Sequence, residues 1–259
     1  MKIVPKQDVA SLPGQRLGES DTFCFSCKPG ISCFNLCCRN LTLFLYPYDL
    51  IRLTRRLSIG YEEFLDRHAE VVLREGSHFP EVLLRMAENE ERTCPFLTDA
   101  GCSVYPDRPY SCRTFPTEHG FFSGPEGKAP VRMDLFRPPD YCRGQDEGKT
   151  WTVQEWLENQ GAVVYVKMMA RWSGYLARFT HDPWGPEGRQ GRLFRMAFTA
   201  AYNMDAFREF VFKSSLLERV QVPATVRKKI KKDDAALWEF GMDWMARTLF
   251  GAEAAPKKP

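Results

Sequence analysis

The sequence lacks several features that would place it at once in a class of proteins. Its longest apolar run, Ala162–Val166, is far shorter than the ~18 residues of a membrane span. Its first residues contain no apolar segment of the kind that signal peptides carry. The net charge is only +3, which is too small to indicate nucleic-acid binding. We therefore expect a cytoplasmic protein with no membrane span and no nucleic-acid partner.

Cysteine is absent from the last part of the chain and concentrated in the first. Of nine cysteines, five lie within Cys24–Cys38, and the others are Cys94, Cys102, Cys112 and Cys142. Thiols stay reduced in the cytosol, and a chain of this length can bury a core without disulfides. The cluster therefore favours metal ligation, with burial as small apolar side chains as the weaker alternative.

The spacing of the cysteines bears on the kind of metal. Sites made only of cysteine select zinc, copper(I) or iron–sulfur clusters, and zinc sites favour two CxxC pairs. Only Cys24 and Cys27 have that spacing. Cys37 and Cys38 are adjacent, so their side chains diverge and reach different metal atoms more easily than one. The pattern favours a polynuclear centre or two separate centres, and an iron–sulfur cluster narrowly over zinc.

Periodicity and turn residues divide the chain into two parts. Residues 21–148 read as a loop-rich cysteine domain with short strands and helices, and residues 149–251 read as helical. No Gly/Ser linker separates them, so we expect an α+β fold in which an all-helical C-terminal part packs on the metal domain. Residues 1–20 and 252–259 are expected to be a disordered leader and a disordered tail.

Local signals predict individual elements within these parts. Thr152 and Glu155 form a capping box, Asn203 can cap a helix, and Pro223 and Asp233 are placed to begin two more. One helical turn is expected after Pro109. Strands are predicted over about 41–45 and 131–135, a hairpin or loop over 121–128, and helices over about 47–60, 61–76, 152–179, 189–202, 203–211, 223–232 and 233–250.

The cysteine motifs together resemble those of a known family. The run Cys27-Lys28-Pro29-Gly30, then Cys33-Phe34, Cys37-Cys38, CPFL, SVYPDRPYSCRTFP and YCRG, is similar to the YkgJ-type cysteine-cluster family over about residues 22–145. That family is described as a zinc- or iron-chelating domain. The resemblance leaves Cys24 outside the pattern and implies that eight thiols are the metal ligands: Cys27, Cys33, Cys37, Cys38, Cys94, Cys102, Cys112 and Cys142.

Two arginines flank one of these cysteines. A guanidinium group near thiolates lowers their pKa and offsets the charge of a metal–thiolate centre, so we assign Arg108 and Arg113 to the surroundings of the cofactor. The alternative is that both pair with surface carboxylates such as Asp107 and Glu118. His119 follows Cys112 by seven residues, and we expect it not to be a ligand.

Three hypotheses for function remain open at this stage. The first is a metal-binding protein in which an iron–sulfur cluster or zinc orders the cysteine domain while the helical part meets another protein. The second is a protein lysine N-methyltransferase, because flagellin lysine-N-methylases look similar in the cysteine region. The third is a metal carrier or assembly factor, which exposed thiols of low pKa would favour. The sequence identifies no catalytic residue.

Overall fold

The computed structural model describes residues 12–122, 131–179 and 181–251. The tail at 252–259, the first part of the predicted leader, and residues 123–128 of the predicted hairpin lie outside these ranges. Within them the expected α+β fold is confirmed, because short antiparallel strands dominate the cysteine region and helices dominate the rest. No helix in the described ranges is long and apolar enough to cross a membrane.

The strands are short and come from distant parts of the chain. In order they are β1 (Gln15–Leu17), β2 (Thr22–Cys24), β3 (Phe44–Leu45), β4 (Ala69–Val72), β5 (Glu81–Leu84), β6 (Leu97–Thr98), β7 (Gly101–Cys102), β8 (Thr117–Phe122), β9 (Val131–Phe136) and β10 (Thr150–Thr152). Over the described residues they form antiparallel sheets in the orders β1–β9–β8, β10–β2, β3–β5–β4 and β6–β7.

The described residues form as many α-helices as strands, and most of the helices are longer than the strands. They are α1 (Pro47–Leu57), α2 (Tyr61–His68), α3 (Tyr110–Thr114), α4 (Val153–Asn159), α5 (Val163–Leu176), α6 (Arg192–Tyr202), α7 (Met204–Lys213), α8 (Leu216–Arg219), α9 (Ala224–Lys232) and α10 (Asp234–Phe250). The short helix α8 has no counterpart among the predictions.

Side-chain caps confirm the predicted starts of three helices. The Thr152 hydroxyl accepts a hydrogen bond from the Glu155 amide at 3.3 Å, and the Glu155 carboxylate accepts one from the Thr152 amide at 2.8 Å. Asn203 and Asp233 each accept a hydrogen bond from the third residue along the chain, at 3.0 Å. The single helical turn expected after Pro109 is α3.

Two predicted helices are shorter than expected. The helix beginning at Tyr61 ends at His68, because Ala69–Val72 pairs with Glu81–Leu84 as a strand. The apolar spacing of this segment suits either structure, and its two β-branched valines favour the strand. The helix predicted over 152–179 is interrupted at Gly161, whose φ of +59° is left-handed and breaks the helical path between α4 and α5.

The flanks of the cysteine region are also more ordered than expected. Gln15–Leu17, within the predicted leader, pairs with β9, and Leu17 is buried. Strand β10, beyond the predicted domain boundary at 148, pairs with β2 so that Thr150 lies opposite Cys24. Both pairings join residues more than a hundred positions apart.

Apolar burial joins the two parts of the chain into one body. The larger core packs α1 and the β3–β5–β4 sheet against the helices α5, α6, α7 and α10. The tryptophans Trp172, Trp184 and Trp238 are fully buried there. A smaller core lies beneath the cysteine loops and gathers Phe23, Phe25 and Trp156.

Candidate metal centre

The first cysteines lie on a loop and a tight turn after β2. Cys27 is exposed, whereas Cys33 is buried. The Leu36 amide donates to the Cys33 carbonyl oxygen at 3.0 Å, and a 3-10 turn then carries Cys37 and Cys38. Asn35 adopts a left-handed conformation with φ of 65°, which asparagine tolerates better than most residues. This turn places three thiols within six residues of chain.

Backbone pairing brings the next two cysteines against this turn. The Cys94 amide donates to the Cys38 carbonyl oxygen at 2.8 Å. The Leu97 amide donates to the Cys94 carbonyl oxygen at 3.0 Å, and Leu97 pairs with Cys102 across the β6–β7 hairpin. Cys94 and Cys102 are thereby carried by one small hairpin unit that is joined to Cys38.

Helix α3 carries Cys112, and a buried carboxylate fixes its position. Asp49 is fully buried in the first turn of α1. Its two oxygens accept hydrogen bonds from the amides of Tyr46, at 2.9 Å, and Tyr110, at 2.8 Å. Burial raises the pKa of Asp49 to about 7, although these hydrogen bonds and Arg113 act in the opposite direction. Asp49 therefore joins the start of α1 to the start of α3.

The last cysteine, Cys142, begins a 3-10 turn over Arg143–Asp146. The Arg143 amide donates to the Cys33 sulfur atom at 3.1 Å, so this turn lies directly on the first cysteine loop. Close contact with Gly144 holds the turn there, since a Cβ atom on that residue would meet the Phe25 ring at 2.7 Å. A backbone amide therefore approaches a sulfur atom where these two turns meet.

The thiols lie within electrostatic range of one another, and this shows in their pKa values. Partial desolvation by the surrounding loops, together with the thiols of Cys37, Cys33 and Cys142, raises the pKa of Cys27 to about 11. Burial also raises the pKa of Cys112 far above its usual range, with Cys94, Cys37 and Cys102 adding to the effect. Without a nearby cation, these thiols hold their protons at neutral pH.

Hydrogen bonds from backbone amides lower the pKa values of three of the thiols, against the effect of burial. In each case the donors lie two or three residues after the cysteine, which is the local turn that points amide hydrogens at sulfur. Such hydrogen bonds favour the thiolate form and so lower the pKa. The donors are Phe96 and Leu97 for Cys94, Val104 for Cys102, and Gly144 and Gln145 for Cys142.

The two predicted arginines are buried and do not pair with the surface carboxylates, and Arg108 lies near the thiols. Asp107 pairs with Arg52, and Glu118 pairs with Arg137. Arg108 donates to the Tyr105 carbonyl oxygen at 2.8 Å and stacks over the Tyr105 ring at 3.9 Å. Its charge lowers the pKa values of the Cys27 and Cys102 thiols, against the effect of burial. The proposed surface pairing is therefore wrong for both arginines.

Arg113 instead holds the cysteine region to the helical part. Its two terminal nitrogens donate to the carbonyl oxygens of Pro106 and Gln160, both at 2.6 Å. Its guanidinium group lies 4.4 Å from the centre of the Tyr165 ring. These contacts place Arg113 between α3, α4 and α5.

His119 occupies a buried site that the sequence did not reveal. Its Nε2 atom lies 2.8 Å from the Thr117 hydroxyl, and its Nδ1 atom lies 3.4 Å from Asp134. Burial lowers the pKa of His119 to about 3, and Arg132 contributes in the same direction. The alternation of residues along β8 and β9, which pairs His119 with Asp134, was the available signal.

The predicted ligands suit a metal by their chemistry but are not close enough together to hold one. Within residues 12–122, 131–179 and 181–251, no three Cys, His, Asp or Glu side chains are close enough together to hold a metal ion. A centre therefore requires the thiols to move closer. The chemistry of the donors fits a thiophilic metal, because each of the eight predicted thiols lies within electrostatic range of another.

Comparison with known proteins found one family model that covers the cysteine region. Residues 26–143 match the model of a family named CxxCxxCC, described as "Putative zinc- or iron-chelating domain". The matched segment contains the eight predicted ligands and begins after Cys24. Searches of curated proteins and of solved structures returned no match. Residues 26–143 of the chain are therefore similar to a family of domains described as zinc- or iron-chelating, in agreement with the resemblance of the cysteine motifs.

Proposed function

We propose that the eight thiols from Cys27 to Cys142 bind a metal centre, with an iron–sulfur cluster favoured over zinc. One observation carries the proposal: eight cysteines from separate segments all have a neighbouring thiol, and burial raises the pKa of most of them. A bound cation would favour the thiolate forms, so metal binding and proton release are coupled. The adjacent pair Cys37 and Cys38 supports more than one metal atom.

The surrounding residues would hold the thiolates in place. The amides that follow Cys94, Cys102 and Cys142 donate to sulfur, and the Arg108 guanidinium offsets part of the negative charge. An iron–sulfur cluster would supply one-electron transfer at this position, and zinc would supply a cross-link between the loops. Either centre would stabilise the segment that the family model covers.

A protein partner, and a cytoplasmic location, remain predictions. The support for a partner is a group of exposed apolar side chains beside the thiols. Leu36 precedes Cys37, Tyr141 precedes Cys142, and Tyr105 stacks on Arg108; their exposed fractions are 43%, 45% and 57%. Aromatic residues of this kind are enriched in protein interfaces. This face lies on the cysteine region, whereas the sequence analysis expected the helical part to meet the partner.

The two alternative functions receive less support. A carrier would expose thiols of low pKa, whereas burial raises the pKa values of the Cys94 and Cys112 thiols. No feature of the described residues favours a methyltransferase over metal binding alone. Binding of S-adenosylmethionine to the metal-loaded protein is the direct test of that alternative.

The test of the proposal is analysis of the anaerobically purified protein. We expect a broad absorption band near ~400 nm, with iron and inorganic sulfide in matching amounts. A colourless protein with stoichiometric zinc would refute the cluster and retain the thiol site. The double variant Cys37→Ser/Cys102→Ser should lose the metal, and Cys24→Ser is the matched control that should keep it. Absence of both metals from the wild-type protein would overturn the proposal.

A further inference from the structure

We infer that one water molecule is bound inside the protein where the cysteine region meets the helical part. Its site is a small cavity between α1, α3, α5 and α10, and its polar partners are Asp49, Tyr110 and Trp238. The ligand is water, so the inference does not depend on whether the thiols bind a metal.

The size of the cavity limits what it can hold. One buried side chain lines it from each of the four helices: Asp49 from α1, Tyr110 from α3, Tyr165 from α5 and Trp238 from α10. The space open to the centre of a water molecule is about 10 Å³. A cavity needs ~10–15 Å³ to hold a water molecule, so this one suits a single water and is too small for an organic ligand.

Two side chains that line the cavity carry polar atoms without a protein partner. The Tyr110 hydroxyl and the Trp238 indole nitrogen are both buried, and neither forms a hydrogen bond with another residue in the described ranges. Buried polar groups in native proteins are nearly always hydrogen-bonded, either to protein or to ordered water. Two such groups beside one cavity of this size therefore indicate a water molecule that serves both.

Asp49 supplies the acceptor that this water requires. One of its oxygens accepts a hydrogen bond from the Tyr46 amide and the other accepts one from the Tyr110 amide. A carboxylate has about four lone-pair positions, so further hydrogen bonds can be accepted. The water would accept the Trp238 indole hydrogen, donate to the Asp49 carboxylate and bond to the Tyr110 hydroxyl. Buried waters typically have about three polar partners.

This water would join the two parts of the chain by polar contacts inside an apolar core. Asp49 and Tyr110 belong to the cysteine region, whereas Trp238 lies on the last helix. The side chains of Met168 and Trp172, which also line the cavity, are apolar and buried. Because a fully satisfied buried polar network specifies one arrangement of the groups around it, the water would fix α3 relative to α10.

Removal of the Tyr110 hydroxyl is a test in which the presence and the absence of the water give different results. With the water bound, Tyr110→Phe loses a hydrogen bond, and we expect the folding equilibrium constant to fall about fivefold in urea denaturation at matched metal content. Without it, removal of an unpaired buried hydroxyl leaves the constant unchanged or raises it. Tyr175→Phe is the matched control and should show no fall, because the Tyr175 hydroxyl is also buried without a described partner but does not line this cavity.

A high-resolution crystal structure of the full-length wild-type protein gives a test that needs no substitution. We expect the electron density of one water within ~3.2 Å of both the Tyr110 hydroxyl oxygen and the Trp238 indole nitrogen. The inference would be overturned if no water lay between these atoms, if Tyr110→Phe were at least as stable as wild type, or if the two variants lost stability equally. None of these results depends on which metal the thiols bind.

Discussion

The thiol-bearing loops and the helical part of this protein are held in place by different means. In the helical part, side chains such as Phe207, Leu237 and Trp238 are completely buried, and apolar burial accounts for the order. The thiol-bearing loops, residues 24–38, 92–112 and 139–146, bury fewer apolar side chains, such as Phe25, Phe96 and Val104, and backbone hydrogen bonds join their turns. Since a hydrogen bond contributes only about 1 kcal/mol net, a bound metal has far more to add in the loops than in the helices.

Removal of the metal should produce the largest difference in stability between the thiol-bearing loops and the helical part. Structural zinc contributes on the order of 10 kcal/mol in small domains, so chelation should greatly reduce amide protection in the thiol-bearing loops. The helices α6, α7 and α10 should keep their protection, because their buried side chains lie in the larger apolar core. Hydrogen exchange with mass spectrometry measures both regions in one sample. Equal loss of protection in both regions would contradict the comparison.

Substitution of Arg113 should weaken the connection between the regions. Arg113→Ala removes the donors to the Pro106 and Gln160 carbonyl oxygens and the contact with the Tyr165 ring. Leaving buried carbonyl groups unpaired costs about 1–3 kcal/mol each, so we expect a loss of about 3 kcal/mol in the free energy of unfolding. Arg67→Ala, which breaks only an exposed pair with Glu63, is the control and should cost less than about 0.5 kcal/mol. Equal effects of the two substitutions in urea denaturation would argue against this role.

Acidification should destabilise the protein through His119, which lies on strand β8. The pKa of His119 is about 3 in the folded protein and 6.5 in the unfolded chain. Between pH 6.5 and pH 3, therefore, only the unfolded chain takes up a proton at this residue. The contribution to stability is complete above pH 6.5 and is lost as the pH falls towards 3. At 1.36 kcal/mol per pH unit, the loss is about 2 kcal/mol at pH 5. His119→Gln keeps a donor for Thr117 and should reduce the difference in stability between pH 7 and pH 5; an unchanged difference would refute the assignment.

A glycine in the helical core offers a smaller test. A Cβ atom on Gly241 would lie 2.7 Å from the ring of Phe207, which is fully buried. Gly241→Ala should gain about 1 kcal/mol in helix propensity and lose about 1–3 kcal/mol from overpacking, for a net loss of about 1 kcal/mol. Gly148→Ala is the matched control, since a Cβ atom there meets no described atom within 4 Å. Thermal denaturation that shows Gly241→Ala to be more stable than wild type would contradict this packing.

The smallest effect is expected at the ninth cysteine. Cys24 is exposed, pairs only loosely with the Thr150 hydroxyl at 3.6 Å, and precedes the family match. Cys24→Ser should leave the metal content unchanged and alter the free energy of unfolding by less than about 0.5 kcal/mol. Loss of metal in this variant would bring Cys24 into the ligand set.

The features that the sequence predicted are those that depend on neighbouring residues. The caps at Thr152, Asn203 and Asp233 act within one helical turn, so their residue types were sufficient evidence. Strands β1 and β10 depend on partners more than a hundred residues away, and their short sequences carry no comparable signal. The predicted end of α2 was wrong for the same reason. The helix ends where β4 begins, and β4 forms by pairing with β5.

In the candidate site, too, local motifs were predicted from the sequence, whereas contacts between distant segments were not. The resemblance to the cysteine-cluster family implied the eight cysteines as ligands and left Cys24 outside the pattern, and the family match begins after Cys24. The order of cysteines along the chain did not indicate that Cys142 lies against Cys33, since that contact depends on how two distant turns meet. The position of Arg113 next to Cys112 suggested a role at the metal. Its contacts with Gln160 and Tyr165, which join the cysteine region to the helical part, were not predicted because they too depend on distant residues.

Strand β10 and the helix after it have a consequence for protein engineering. The Trp151 indole donates to the Phe25 carbonyl oxygen at 2.8 Å, and the Trp156 indole donates to the Thr114 carbonyl oxygen at 3.0 Å. Both tryptophans lie beyond residue 143, where the family match ends. A fragment cut at that boundary would expose the apolar underside of its own loops. A transplantable version of this module has to extend through α4, to residue 159 at least.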